Sequence, residues 1–543
     1  MSGNINVGTS YFSRTNGNSE SSPMSYFISG NTTLSVYGFS IPISLEYRDQ
    51  VGSASISHPF NRLSINPRYK WISINAGKFN KTLSRYSISN QLISGGAIDL
   101  TPGILRVSVI SGNLVNPIIQ LDSLLENNNF LPSYKRKVTA AKLGIGKRNN
   151  YFDIVLMKAK DDINSLAPNE IDEITISPEE NLIIGGNFKI SPTRWLRLEG
   201  DITASGHTAN LQSSNYFEDE NTEQLEKILG SNLTVNNSTR LAFAAGGKID
   251  FRIKKFGIGL DYRRIDPFYK SLGSIYFQED FENILFKLRF AILNGKVKTS
   301  SRIGFQRNNL NGLRSNQSNR RIGNVSLSVS PSRNFSISSR YSNYQTDRSD
   351  GLIAVNDTLR FSRSTAAFSV SPRFSFGSKD KRSSLSLTVN RQNLIDLLDQ
   401  EAENNNIKND LVNINYLLKM KDSGRTIGFS VLGNRNLIKD QERTRAGFNT
   451  RFSQKLGKDK FTVNLTLGYY QNFLQGESEG SSILSRVGLN FKLSKNIRLN
   501  SALNYLNRSG DNGFQNIRAT LRLNYNLPSV NASFNKKSKN QKI

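Results

Sequence analysis

Apolar and polar residues alternate with a period of two along almost the whole of this chain, and that pattern limits its fold more than any other feature. Phe461, Val463, Leu465, Leu467 and Tyr469 are separated by Thr462, Asn464, Thr466 and Gly468. Successive side chains of a strand point to opposite faces, so the segment makes one apolar and one polar face. Val487, Leu489, Phe491 and Leu493 repeat the pattern against Arg486, Gly488, Asn490 and Lys492. Ile517, Ala519, Leu521, Leu523 and Tyr525 do so against Arg518, Thr520, Arg522 and Asn524. It recurs at Val325-Leu327-Val329, at Ile41-Ile43-Leu45-Tyr47 and over 251–262. Helical spacing is confined to short polar stretches: Leu225, Ile228 and Leu229 share one helical face, and a second short helix is expected over 393–402. No run of about 18 apolar residues occurs, so no helix of this chain spans a bilayer.

The connections between strands come in two alternating kinds. Short, basic ones are Pro331-Ser332-Arg333-Asn334, Lys421-Asp422-Ser423-Gly424-Arg425, Gly457-Lys458-Asp459 and Ser494-Lys495-Asn496. Long, polar ones are expected at 344–358, 393–408 and 471–482. Two more are acidic: 161–180, and the stretch with Glu218, Asp219, Glu220, Glu223 and Glu226. Short turns alternating with long loops are the layout of a transmembrane β-barrel, its turns periplasmic and its loops extracellular. A hairpin with its loop takes roughly 35–45 residues, so 543 residues hold roughly 22–26 strands. No linker or composition shift divides the chain as several soluble β-sandwiches would require. The expected fold is therefore all-β: one large antiparallel transmembrane barrel over 1–527, with a basic tail over 528–543. A hydrophobic content of 37% suits it, because only the lipid-facing half of each strand need be apolar.

The formal charge of +28 invites a nucleic-acid reading. Lys and Arg are instead scattered singly between apolar residues, with no basic helix, zinc finger or RNP-type motif, so nucleic acid is not an expected partner. The expected partners are outer-membrane lipid and lipopolysaccharide, and other outer-membrane or surface proteins. There is no Cys, which excludes disulfides and thiolate metal centres. The chain opens MSGNINVGTSYF, without a charged-then-apolar leader, so an exported chain of this sequence is expected to be a processed form.

Residues 57–103 carry a more particular pattern: Pro59-Phe60-Asn61, then Pro67-Arg68-Tyr69-Lys70-Trp71, then Gly95-Gly96 and Pro102-Gly103. Tyr134-Lys135-Arg136, Lys158-Ala159-Lys160-Asp161-Asp162, Pro178-Glu179-Glu180-Asn181-Leu182 and Val355-Asn356-Asp357-Thr358-Leu359-Arg360 extend it. The pattern resembles a family of outer-membrane β-barrel proteins of Bacteroidota-type bacteria. The resemblance implies the barrel and the outer membrane, and brings little function, since the family is mostly without an assigned activity. One departure is that Pro528 and a basic tail follow the last strand, where such barrels often end on an aromatic residue.

Catalytic signals are weak. His58 and His207 are the two histidines, and neither G-x-S-x-G nor H-E-x-x-H occurs, so no enzyme and no cofactor is expected. Asp161, Asp162, Glu179 and Glu180 could gather oxygen ligands for a hard cation, but a solvated acidic loop is the plainer reading. Trp71 and Trp195 suit interfacial girdles. Over 53–120, glycines and prolines interrupt the strands, so part of this stretch either folds inward and constricts the lumen or forms kinked wall strands. Arg486, Asn490, Lys492, Arg518, Arg522 and Asn524 are expected to line the lumen, with Val487, Leu489, Phe491, Leu521 and Leu523 against lipid. Two functions fit: a channel with a polar, basic lumen, or a plugged structural barrel that serves as a subunit of a larger outer-membrane complex.

Overall fold

A computed structural model describes residues 1–15, 24–49, 62–117, 133–166, 176–214, 220–274, 279–313, 316–350, 361–396, 407–438, 441–457, 460–510 and 513–528. The alternating segments form one antiparallel sheet in which each strand pairs with the next. The first strand, Ser2–Arg14, pairs along its length with the last, Phe514–Leu527, from Gly3↔Leu527 to Arg14↔Asn516, and closes the sheet. Arg62–Ile65 and Arg68–Tyr69 occupy one wall position, interrupted at Asn66-Pro67 where proline removes a ladder donor. Counted so, 26 strands among the described residues complete the barrel. Closure leaves no unpaired strand edge, the condition for crossing a membrane with strands.

The two faces differ as the alternation dictates. On Asn150–Asp162, Phe152, Ile154 and Leu156 are each nearly half exposed, while Asp153, Val155, Met157, Ala159 and Asp161 between them are buried. Register partners share a face, which carries the exposed apolar set around the wall: Ile184, Ile202, Phe243, Phe286, Ile303, Phe305, Ile414, Val431, Leu467 and Leu521. This is the lipid-facing surface, and the opposite face lines the interior.

Short turns gather at one rim. They include Tyr37-Gly38, Arg148-Asn149, Lys254-Lys255, Ser330–Asn334 and Leu493–Asn496, and both ends of the wall, Ser2 and Leu527, lie there too. Longer connections gather at the opposite rim. Four expectations are corrected. The stretch 471–482 is not a long loop: strands run to Leu474 and from Glu477, joined by a tight Gln475-Gly476 turn with Gln475 at φ +54°. Residues 393–396 belong to the strand Lys381–Asp396 rather than to a helix, and likewise 344–350 end the strand Phe335–Asp350 rather than open a loop; 351–358 and 397–402 fall outside the described residues. Asp161, Asp162 and Glu180 end or begin strands rather than lying in a loop. The helix expected at Leu225 to Leu229 forms, as Glu220–Leu229. It sits over the long-loop rim, where Leu229 and Leu233 approach Gly206.

Within the 53–120 stretch, the wall takes 62–81 and 91–115. Gly77, Gly95 and Gly112 lie in register across three strands, and a Cβ on Gly95 would overlap the Ser111 carbonyl and Gly112 Cα. The segment 82–90 leaves the wall and packs onto its inner face. A second segment, 266–274, meets it there. Tyr269 Oη donates to the Tyr86 carbonyl (2.9 Å), Ser271 Oγ to the Ser87 carbonyl (2.6 Å), and the Ser89 amide to the Gly273 carbonyl (3.1 Å).

Candidate functional site

The interior has two unlike halves. In the first, the inward segments supply Leu83, Ile88 and Leu272 to a core completed by Ile93, Ile110, Val138, Val155, Met157 and Ile183 from the wall. Tyr86 and Tyr269 pack beside it with Ala242, Ala244, Ile265 and Phe281. Full burial of each large apolar side chain stabilises this half by roughly 1.5–3 kcal/mol. Burial pushes the Tyr86 phenol up to about 12, the charge of Asp201 adding to the effect.

Every strand under these segments is covered on its inner face and lipid-exposed on its outer one. Both faces are then apolar where the segments pack, as Ile154-Val155-Leu156-Met157 spells out. Such continuous apolar runs, which also occur at Leu182-Ile183-Ile184, are the sequence signal for an inner core.

Several inner-wall charges in and beside this half are paired. Arg106 grips Asp153 through two bonds (2.7 and 3.0 Å), Lys81 pairs with Asp99, Lys189 with Glu199 (3.0 Å), and Lys287 with Asp261 (2.9 Å). At the long-loop rim Arg136 donates to Asp161 (2.7 and 2.8 Å) and to Glu179 (2.8 Å), and Lys270 of the inward segment also donates to Glu179 (2.7 Å). His207 Nε2 stands 3.6 Å from the same carboxylate. Burial alone would raise the Glu179 carboxyl; the neighbouring His207 and the donors and charges of Lys270 and Arg136 outweigh it and hold it at about 2.

The four acidic residues therefore do not form a cage. Asp161 and Glu179 converge on Arg136 inside the wall. Asp162 and Glu180, one residue along, fall on the outer side, where Lys137 (2.9 Å) meets Asp162 and Lys158 (3.2 Å) and Lys160 (3.3 Å) meet Glu180. Strand alternation separates the pairs. These carboxylates are held by cations of the chain itself, not spread through a solvated loop as expected. Glu180 is 1% exposed, and it also accepts the Thr234 amide (3.0 Å).

The second half, 281–527, has no comparable core among the described residues. Arg486, Asn490 and Lys492 lie on the register opposite Ile483, Val487, Leu489 and Phe491. Arg518, Arg522 and Asn524 lie opposite Ile517, Leu521 and Leu523. Arg518 stands over the Phe12 ring (5.2 Å) and Arg522 over the Phe27 ring (5.0 Å), and Asn524 pairs in register with Asn6. Glu282, Asp410 and Glu442 fall on the lipid-facing register, and Glu479 sits at the rim with Arg508 (3.4 Å). Among the described residues, the inward positions between the rims of this half carry Arg and Lys without Asp or Glu.

Of the motif residues, Tyr69, Lys70 and Trp71 form a turn at the short-turn rim. Lys70 adopts φ +50° and stands over the Tyr69 ring (5.1 Å), which stacks on Phe39 (4.2 Å). The Trp71 carbonyl accepts the Thr101 amide (2.9 Å), next to Pro102-Gly103. Pro59, Phe60, Asn61 and His58 lie outside the described residues, as do 355–360 and the tail beyond Pro528. Trp71 and Trp195 are both exposed at this rim, Trp195 stacked on Phe251 (5.9 Å).

The closed wall and its apolar outer girdle define a membrane-spanning antiparallel β-barrel. No family model matches the chain, and no curated protein does. Among solved structures, it is similar to the P pilus usher (PapC) translocation pore at 11% identity and a TM-score of 0.40, over 97% of this chain and 99% of that one. The FrpB iron transporter from Neisseria meningitidis is similar at 10% identity and a TM-score of 0.38, over 97% and 82%. The outer membrane protein OprD from Pseudomonas aeruginosa is similar at 9% identity and a TM-score of 0.29, over 72% and 93%.

Proposed function

We propose that the protein is a non-catalytic pore of the outer membrane whose polar, basic lumen favours anions. The observation that carries this reading is the second half of the inner wall, where Arg486, Lys492, Arg518 and Arg522 face inward without a carboxylate partner. A low-dielectric wall focuses the field of such charges and enriches anions inside. The apolar girdle is the surface expected toward outer-membrane lipid, and the rim cations toward lipopolysaccharide. The turn built by Tyr69, Lys70 and Trp71 is consistent with membership of the Bacteroidota-type barrel family. Conductance of the purified barrel in planar bilayers tests the reading. Steady ion current with anion-positive reversal potentials is the expected result.

One observation favours a second reading, a plugged barrel that holds partner proteins: the packed segments 82–90 and 266–274 occupy the first half of the lumen. Absence of conductance, with stable partners recovered from native membranes, would replace the pore by that reading.

A further inference from the structure

A cavity of about 1310 Å³ lies against the inner wall near the short-turn rim. Besides Lys254 and Lys255 of the turn itself, its cations are Arg252, Lys287, Arg289, Lys298, Arg302 and Arg340. Lys287 is neutralised by Asp261; Arg289, Lys298, Arg302 and Arg340 have no carboxylate partner among the described residues. Asp250 is the carboxylate at the cavity edge.

These residues are ordered by strand register. Arg289 pairs with Ser300, Ser300 with Ser326, Ser326 with Arg340, and Arg340 with Ser369. This makes one row across five strands with an arginine near each end. With neighbouring strands about 4.8 Å apart, Arg289 and Arg340 stand about 15 Å from each other at the backbone, with Ser300 and Ser326 between them, the Ser326 hydroxyl donating to the Ser300 carbonyl (3.2 Å). A parallel row runs Lys298, Ser328, Ser338 and Ser371. One step on, Arg302 lies directly opposite Lys287.

From this placement we infer that the cavity is a binding site for an oligophosphate, a chain of several linked phosphate groups laid along the Arg289–Arg340 row. The inference rests on the pore reading and names the class of solute that its lumen takes. Guanidinium groups and serine hydroxyls supply donors from several directions, which suits tetrahedral anionic oxygens. Each phosphate brings its own charge, and the long arginine stems reach toward each other, so a chain shorter than the backbone spacing meets both guanidinium groups at once.

The probe is tripolyphosphate, titrated calorimetrically into the intact barrel in detergent, with tetraglutamate as the carboxylate comparison. The expected result is saturable binding of tripolyphosphate, weakened about tenfold or more by Arg289→Ser with Arg340→Ser. Lys137→Ser with Lys227→Ser, which removes the same charge at the long-loop rim, should change it less than about twofold. All four side chains are exposed, and a retained heat-modifiable band verifies folding. No binding, equal loss in both variant pairs, or equal affinity for tetraglutamate each overturns the site. Conductance separates the two claims: binding without conductance refutes the pore and leaves the site standing, whereas conductance without binding refutes the site alone.

Discussion

Replacing Arg136 by Met should be the most damaging single change at the long-loop rim. Arg136 ties three pieces of chain together: its own strand Lys135–Lys147, Asp161 at the end of the next, and Glu179 ahead of the third. Asp161 is 2% exposed at its side chain, so water cannot replace the lost guanidinium. Removing one member of a buried ion pair costs roughly 3–5 kcal/mol, because the partner stays buried and charged. Glu179 keeps Lys270, so the lower part of that range applies to it and the full penalty falls on Asp161. The loss corresponds to about two to four powers of ten in the unfolding constant. Urea unfolding of the barrel refolded in lipid vesicles, followed by tryptophan fluorescence and by heat-modifiable migration, would read it. Adding Asp161→Asn to the Arg136→Met variant should recover part of the loss by removing the stranded charge. Lys137→Met is the internal control: Lys137 is 60% exposed and its partner Asp162 lies on the outer side, so the midpoint should hardly move. Equal destabilisation by Arg136→Met and Lys137→Met would refute the reasoning, since burial would then not distinguish the two pairs.

Further outcomes follow from the same structure. Glu179 has a carboxyl depressed from 4.5 to about 2, so its contribution to stability is present above the ordinary value and is lost as pH falls through that interval; Glu179→Gln should flatten the acid limb of a pH-stability curve there, and an unchanged limb would count against the network. Arg518→Glu with Arg522→Glu should reduce or reverse the anion preference of the pore without unfolding it, and a cation-selective native barrel would contradict the basic-lumen reading. Since the chain has no native Cys, single Lys495→Cys and Glu223→Cys variants report sidedness cleanly. An impermeant maleimide on intact cells should label the second and spare the first; the opposite pattern would invert the topology. The barrel should also be recovered only with detergent or denaturant, and a stable monomer free of both would be incompatible with a membrane wall.

The period-two spelling of segments such as Phe461–Leu474 and Phe514–Leu527 determined by itself that the chain makes long antiparallel strands with one apolar face. Strand direction and side-chain alternation are local properties, so the register that sets Arg486, Lys492, Arg518 and Arg522 opposite Val487, Leu489, Leu521 and Leu523 was legible before any tertiary contact. Chain length bounded the strand number, and the short basic turns marked one rim. Loop lengths were less legible: Gln471 to Ser482 is mostly polar and advertises its strands poorly, yet ladder pairing with Arg443, Thr444 and Arg445 on one side and with Arg508 on the other carries them to a two-residue turn. Only the tertiary structure decided how the interior is divided. Segments 82–90 and 266–274 are far apart in sequence, and their meeting over Val155, Met157 and Ile183 depends on closure of the wall, which no local pattern encodes. The same holds for the carboxylates. Asp161 and Glu179 look like half of an acidic cluster in the sequence, but strand parity sends Asp162 and Glu180 to the other side of the wall. Arg136, Lys270 and His207 reach Glu179 from three separate elements because the closed sheet brings them to one rim.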